Sequence, residues 1–261
     1  MKKLRSADGT FIAFESAGKG PPVILVGGAF NDRRAKASGT PLAELLSSQF
    51  TVFSYDRRGR GDSTDTPPYA IEREVEDLAA LIANAGGSAA LYGMSSGGLL
   101  AAEAAVRVVG VTKLALYEPP VVLDASRRPP ESLATELAEL AATGRRSEAA
   151  ELFLTRVVGV PPPVVAGMKR APMWRGLEAL AHTLSYDVQL TAGAPALIDR
   201  ASSIRAPTLV MDGSASPPWM HEGTRALAAA VPAGHHRTLD GQTHDVDPAV
   251  LATALQQFLA A

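Results

Sequence analysis

Apolar and polar positions alternate over residues 10–15, the period of a strand buried on one face, whereas residues 22–26 form a short unbroken apolar run, the pattern of a strand covered on both faces. Both are bounded by Gly or Pro, and further strand signals fall at 50–55, 89–92, 113–117, 207–211 and 237–239. Between them, residues 70–85, 96–108 and 248–259 carry apolar spacing that predicts helices. Strands alternating with helices predict an α/β fold, a mostly parallel central sheet with helices on both faces. From Pro119 to Arg205 the alternation stops. That stretch has helical patterns at 132–142 and 147–157, no convincing strand, and a Pro161-Pro162-Pro163 run that breaks it into short pieces. The expected organisation is a core of residues 1–118 and 206–261 with a helical cap, residues 119–205, inserted in it.

Composition narrows the classes of function. With 46% hydrophobic and 20% charged residues in 261, the chain is that of an ordinary globular protein. Its 25 Lys and Arg against 27 Asp and Glu are spread without a block of like charge, so no footprint for nucleic acid is expected. There is no cysteine, which excludes disulfides, thiolate nucleophiles and Cys-based metal sites. The first ten residues are basic and then polar where a signal peptide needs an apolar stretch, and no run approaches 18 uninterrupted apolar residues. A cytoplasmic protein without a membrane association is the expectation.

The segment richest in chemistry is Gly93-Met94-Ser95-Ser96-Gly97, between a buried strand and an Ala-rich helix. A serine in a tight strand-to-helix turn needs small residues two positions before and after it, because the backbone is closely approached from both sides. Gly93 and Gly97 meet that need around Ser95, whereas centring on Ser96 would put Met94 at the first small position. Ser95 is therefore the candidate nucleophile, at a helix N-terminus, with the Ser96 amide as an oxyanion donor. A glycine-rich turn without function is the bland alternative.

With that turn in its strand and helix context, the chain resembles the α/β-hydrolase family over nearly its whole length. The resemblance implies a second oxyanion amide in a loop that usually begins His-Gly; here the place reads Val26-Gly27-Gly28-Ala29-Phe30, so Ala29 is the donor carried over and the support behind the loop must differ. Asp56-Arg57-Arg58-Gly59-Arg60-Gly61-Asp62-Ser63 is similar to the family's Asp-x-Arg-Gly-x-Gly-x-Ser loop. As a basic nucleic-acid loop it is disfavoured by the interleaved Asp56, Asp62 and Asp65, and as a dinucleotide-binding turn by the lack of a third glycine.

A serine needs a base to take its proton. His244, just after the last strand, stands where the resemblance implies that base. Among the other four histidines, His235 and His236 are neighbours that a strand aims at opposite faces, a poor metal pair, and His182 and His221 are given surface or packing roles. The acid departs from the usual pattern. The loop after the 207–211 strand reads Gly213-Ser214-Ala215-Ser216 and has no carboxylate. Glu118, ending the preceding strand before two prolines at a position some family members use, is the preferred acid; Asp212 is the alternative, and Asp245 and Asp247 come next.

The constellation implies a serine hydrolase of carboxylic esters or lactones, acting on an apolar small-molecule substrate through an acyl-enzyme, with no cofactor and no metal. Rival readings are a non-hydrolytic enzyme of the same fold, such as a perhydrolase or lyase, and a ligand-binding receptor with a degenerate triad. Phe30, Met94, Met173, Trp174 and Trp219 are the expected substrate-facing apolar residues, with simple packing as their alternative. Neither the substrate's identity nor the oligomeric state is specified.

Overall fold

The computed structural model describes residues 1–130 and 132–261. The elements run β1 (Lys2–Arg5), β2 (Phe11–Ala17), β3 (Pro22–Val26), α1 (Thr40–Leu46), β4 (Thr51–Tyr55), α2 (Ile71–Asn84), β5 (Ala89–Met94), α3 (Ser96–Arg107) and β6 (Val111–Tyr117). A helical insertion follows, with α4 (Leu133–Ala142), α5 (Arg146–Phe153) continued by a π turn, α6 (Pro162–Met168), α7 (Trp174–Leu180) and α8 (Leu184–Arg200). The chain returns to the sheet with β7 (Thr208–Gly213), α9 (Pro218–Ala230), β8 (Gly234–Leu239) and α10 (Pro248–Ala260). Among the described residues eight strands form one sheet in the order β1-β2-β4-β3-β5-β6-β7-β8. It is antiparallel at the β1–β2–β4 edge and parallel from β4 to β8.

The unbroken apolar runs have the burial that their pattern requires. In β3, Ile24 and Val26 face one layer, with α2, α3, α8 and α9, while Val23 and Leu25 face the other, with α1 and α10. Successive side chains point to opposite faces, so a strand covered on both must be apolar at every position. The insertion has its own apolar cluster, which includes Leu137, Phe153, Trp174, Leu184 and Val188. Its last helix serves two clusters: Leu184 and Val188 belong to the insertion, and Leu190, Ala194 and Leu197 pack on the sheet layer beside α3. The expected cap boundary at residue 205 therefore cuts later than the packing does, because α8 bridges both bodies. No helix among the described residues is long and apolar enough to cross a membrane.

Candidate active site

The parallel strands bring their carboxyl ends to one edge of the sheet, where the connecting turns carry the polar groups. The order of strands reverses about β3, so the turns after β3 and β5 leave in different directions, and the place between them is the usual ligand position in such sheets. Ser95 lies at the end of β5 with φ 55° and ψ −131°. A non-glycine residue in that region is held there by its surroundings. Its amide donates to the Tyr117 carbonyl at 2.9 Å, fixing the turn to β6.

The flanking glycines are required by close backbone approach. A methyl group on Gly93 would lie 2.5 Å from the Gly97 carbonyl oxygen, and one on Gly97 would lie 2.3 Å from that of Val26. Ser95 is partly exposed and Ser96 is buried. Ser96 opens α3, so its N–H has no partner within the helix. The loop after β3 reaches the same place, since a methyl group on Gly28 would sit 2.9 Å from Ser95 Cβ. Ala29 and Phe30 follow, and Phe30 is also left-handed, at φ 57°.

Glu118 stands one residue beyond β6, fully buried, with φ 46°. Its Oε2 lies 2.7 Å from His244 Nδ1, and its Oε1 accepts the Gly213 amide at 2.9 Å and the Ser216 hydroxyl at 2.5 Å. Burial pushes the carboxyl up, but His244, Ser216 and the Gly213 amide outweigh it and hold Glu118 below the usual glutamate range. Ser216, in the loop after β7 that lacks a carboxylate, thus hydrogen-bonds Glu118 at the end of the neighbouring strand. The His244 loop is tied down by the Tyr117 hydroxyl, which donates to the Thr243 carbonyl at 2.6 Å. The His244 side chain is half exposed and makes no hydrogen bond to Ser95 in this structure.

Asp212, the alternative acid, is equally buried but turned elsewhere. Its Oδ2 lies 2.9 Å from His221 Nδ1 and from His236 Nε2, and accepts the Thr224 hydroxyl. His221 and His236 therefore bind a common carboxylate, a link that their separation in sequence hides. His182 holds the Gly59 carbonyl through Nε2.

The apolar candidates separate by location. Met94 and Phe30 flank the turn and the loop, and the Phe30 ring meets Phe153 of the insertion edge-on at 5.4 Å. Trp174 is buried in the insertion's own core, its indole N–H donating to Ser147 Oγ and Glu178 Oε1, so the expectation that it meets substrate gives way to packing. Met173 is exposed, and Trp219 borders a surface cavity of about 200 Å³ with Val122, Leu123 and Asp124; neither is placed at Ser95 by a contact in this structure.

Arg57, Arg58 and Arg60 are all buried, so that loop presents none of them to solvent. Their partners are distant in sequence: Glu74 and Asp187 for Arg57, Asp8 and Asp77 for Arg58, Asp187 for Arg60. The interleaved Asp56 and Asp62 pair with Arg33 instead. Arg57 and Arg60 also donate to the Gly27 and Gly28 carbonyls, at 3.3 and 2.5 Å, and so supply the support that the missing histidine leaves to other groups. Asp187 gave no separate sign in the sequence except as a carboxylate between Leu184 and Val188 on an apolar helix face.

Residues 23–258 match the alpha/beta hydrolase family. The chain is 51% identical to an alpha/beta hydrolase from Sphaerobacter thermophilus DSM 20745, over 99% of this chain and 100% of that one, with a TM-score of 0.91. An enol-lactonase from Burkholderia xenovorans LB400 shares the fold at 23% identity, covering 100% of both chains, with a TM-score of 0.74. So does a thermophilic esterase from Thermogutta terrifontis at 24% identity, covering 100% of this chain and 98% of that one, with a TM-score of 0.73. This chain belongs to the alpha/beta hydrolase family.

Proposed function

We propose that the protein is a serine hydrolase that cleaves a carboxylic ester or lactone through an acyl-enzyme. The observation that carries this reading is the 2.7 Å bond between the buried Glu118 carboxylate and His244 Nδ1, beside the strained Ser95 turn. A carboxylate on Nδ1 fixes the tautomer that leaves Nε2 free to accept a proton. Ser95 Oγ attacks the substrate carbonyl carbon as its proton passes to His244 Nε2, and the carbonyl electron pair moves onto oxygen. The Ala29 and Ser96 amides bind that oxyanion. Collapse expels the alkoxide, which takes the proton from His244. Water then attacks the acyl-serine by the same route, releasing the acid and restoring Ser95. An enol-lactonase and an esterase with this fold support the substrate class, and the Phe30 and Phe153 pair supports an apolar acyl group.

The test is a panel of p-nitrophenyl esters and lactones of graded size, run with wild type and Ser95→Ala. Turnover by wild type and loss of it in a folded Ser95→Ala protein are expected. No turnover of any member would favour a receptor, and turnover that survives Ser95→Ala would move the nucleophile elsewhere.

A further inference from the structure

Asp187 on α8 is the centre of a buried polar cluster that joins three other segments of the chain. The Asp187 side chain is 1% exposed. Its Oδ1 accepts Ser96 Oγ and Arg57 Nη1, both at 2.7 Å, and its Oδ2 accepts Arg60 Nη2 at 2.7 Å. Arg57 turns its remaining donors to Glu74, whose carboxylate also accepts the Tyr69 hydroxyl. Two cations and two anions are thus buried with partners, which is what makes burying them tolerable. Burial pushes the Asp187 carboxyl up, yet Arg60, Arg57 and Ser96 keep it below the ordinary aspartate range.

The far ends of this cluster fall on the two amides assigned to the oxyanion. Arg60 Nη1 donates to the Gly28 carbonyl at 2.5 Å and to the Asn31 carbonyl at 3.3 Å. The Gly28 carbonyl and the Ala29 N–H belong to one planar peptide unit, so a donor that fixes the oxygen also fixes the direction of the N–H, and polarises it toward stronger donation. On the other side, Ser96 is held by its own hydroxyl, and its N–H is the second donor. Asp187 lies on α8 between residues of the insertion's apolar cluster, against which Ala29 and Phe30 also pack. The same stretch is seated on the β4–α2 connection by Tyr186, which stacks on Tyr69 at 3.8 Å between centroids and donates to Asp65 at 2.7 Å.

We infer that Asp187 is a positioning residue that, through Arg60 and Ser96, sets both oxyanion amides at once and ties their geometry to the seating of the insertion. The inference rests on the acyl-transfer reading. A merely structural anchor would lower stability and leave turnover per intact site unchanged.

The experiment measures kcat and KM on a p-nitrophenyl ester per active site titrated with a fluorophosphonate, and the affinity of an alkyl boronic acid as an oxyanion mimic, for wild type, Asp187→Asn and Ser96→Ala. Ser96→Ala leaves every ion pair in place, so it decides the matter if Asp187→Asn does not fold. Expected is a fall in kcat of roughly thirtyfold for Asp187→Asn and roughly tenfold for Ser96→Ala, with KM within about threefold, both smaller than the roughly 10²–10³ of deleting an oxyanion donor. Boronate affinity should fall in parallel. Variants that melt earlier but keep wild-type kcat per titrated site and wild-type boronate affinity overturn the inference and leave the hydrolase reading intact. Wild type that is neither labelled nor active contradicts the hydrolase reading and the inference with it.

Discussion

Glu118 and Asp212 are buried carboxylates at the same edge of the sheet, on neighbouring strands, and each holds histidine at hydrogen-bond distance. Tyr117 pairs with Met211, so the two acids stand side by side in register. Alternation turns Asp212 to the α9 face, where His221 and Thr224 wait, and His236 on β8 comes from the same side. Glu118 escapes that alternation because its φ of 46° swings the chain out of the strand, carrying the carboxylate over the sheet edge to His244. One left-handed residue separates a carboxylate that can orient a base from one that braces a strand against a helix.

The comparison breaks most sharply at the histidines. His244→Ala should cost roughly 10⁵–10⁶ in kcat, because members of a triad act as a unit, whereas His221→Ala and His236→Ala should leave ester turnover within about tenfold of wild type. Equal losses would put the base on the Asp212 side. The acids come next: Glu118→Gln should lower kcat by roughly 10⁴ by analogy with the serine-protease aspartate. Asp212→Asn should cost less than about tenfold in kcat but about 1–3 kcal/mol of stability, read from a urea midpoint, as the partly exposed His221 and His236 and the buried Thr224 lose an anionic acceptor. The reverse order would show that the acid had kept to β7.

How much of this contrast was legible in the sequence depends on whether the signal was local. Residues 22–26 and the Gly93–Gly97 turn stood out because a two-sided strand and a tight elbow each impose composition on a few consecutive positions, and the structure has β3 over the expected residues. β1 gave no such signal, since Lys2–Arg5 is an edge strand with mostly exposed side chains that needs no apolar alternation. The preference for Glu118 could be argued from the empty loop after β7, but its left-handed backbone and the Ser216 contact come from tertiary packing. Asp187 and the Arg57 and Arg60 pairs lay out of reach because partners about 130 residues apart leave no pattern in either segment. Trp174 shows the converse, an aromatic residue that composition alone could not assign to a substrate or to a core.

Smaller perturbations sharpen the picture. Ser216→Ala removes one of the bonds that hold Glu118, and should lower kcat only about three- to tenfold, near the net worth of one hydrogen bond to a charged group. A larger loss would mean that Ser216 takes a direct part. The acid limb of stability offers the mildest test. Because the folded pKa of Glu118 lies below its ordinary 4.5, its ionised form stabilises the fold fully above that value, and the contribution is lost as pH falls through the lower folded value. The stability gap between wild type and Glu118→Gln, from urea midpoints, should therefore narrow as pH falls below the ordinary glutamate value of 4.5. A gap that holds constant would show that ionised Glu118 contributes nothing to the fold.

In the proposed mechanism it is Glu118, through His244, and not Asp212 that activates Ser95. The most direct measurement is intact-protein and peptide mass spectrometry after exposure to a serine-directed fluorophosphonate. The account predicts one adduct per chain on the peptide carrying Ser95, formed at the wild-type rate in Asp212→Asn and far more slowly in Glu118→Gln and His244→Ala. An unlabelled wild-type chain, an adduct on another serine, or slow labelling in Asp212→Asn with fast labelling in Glu118→Gln would contradict it.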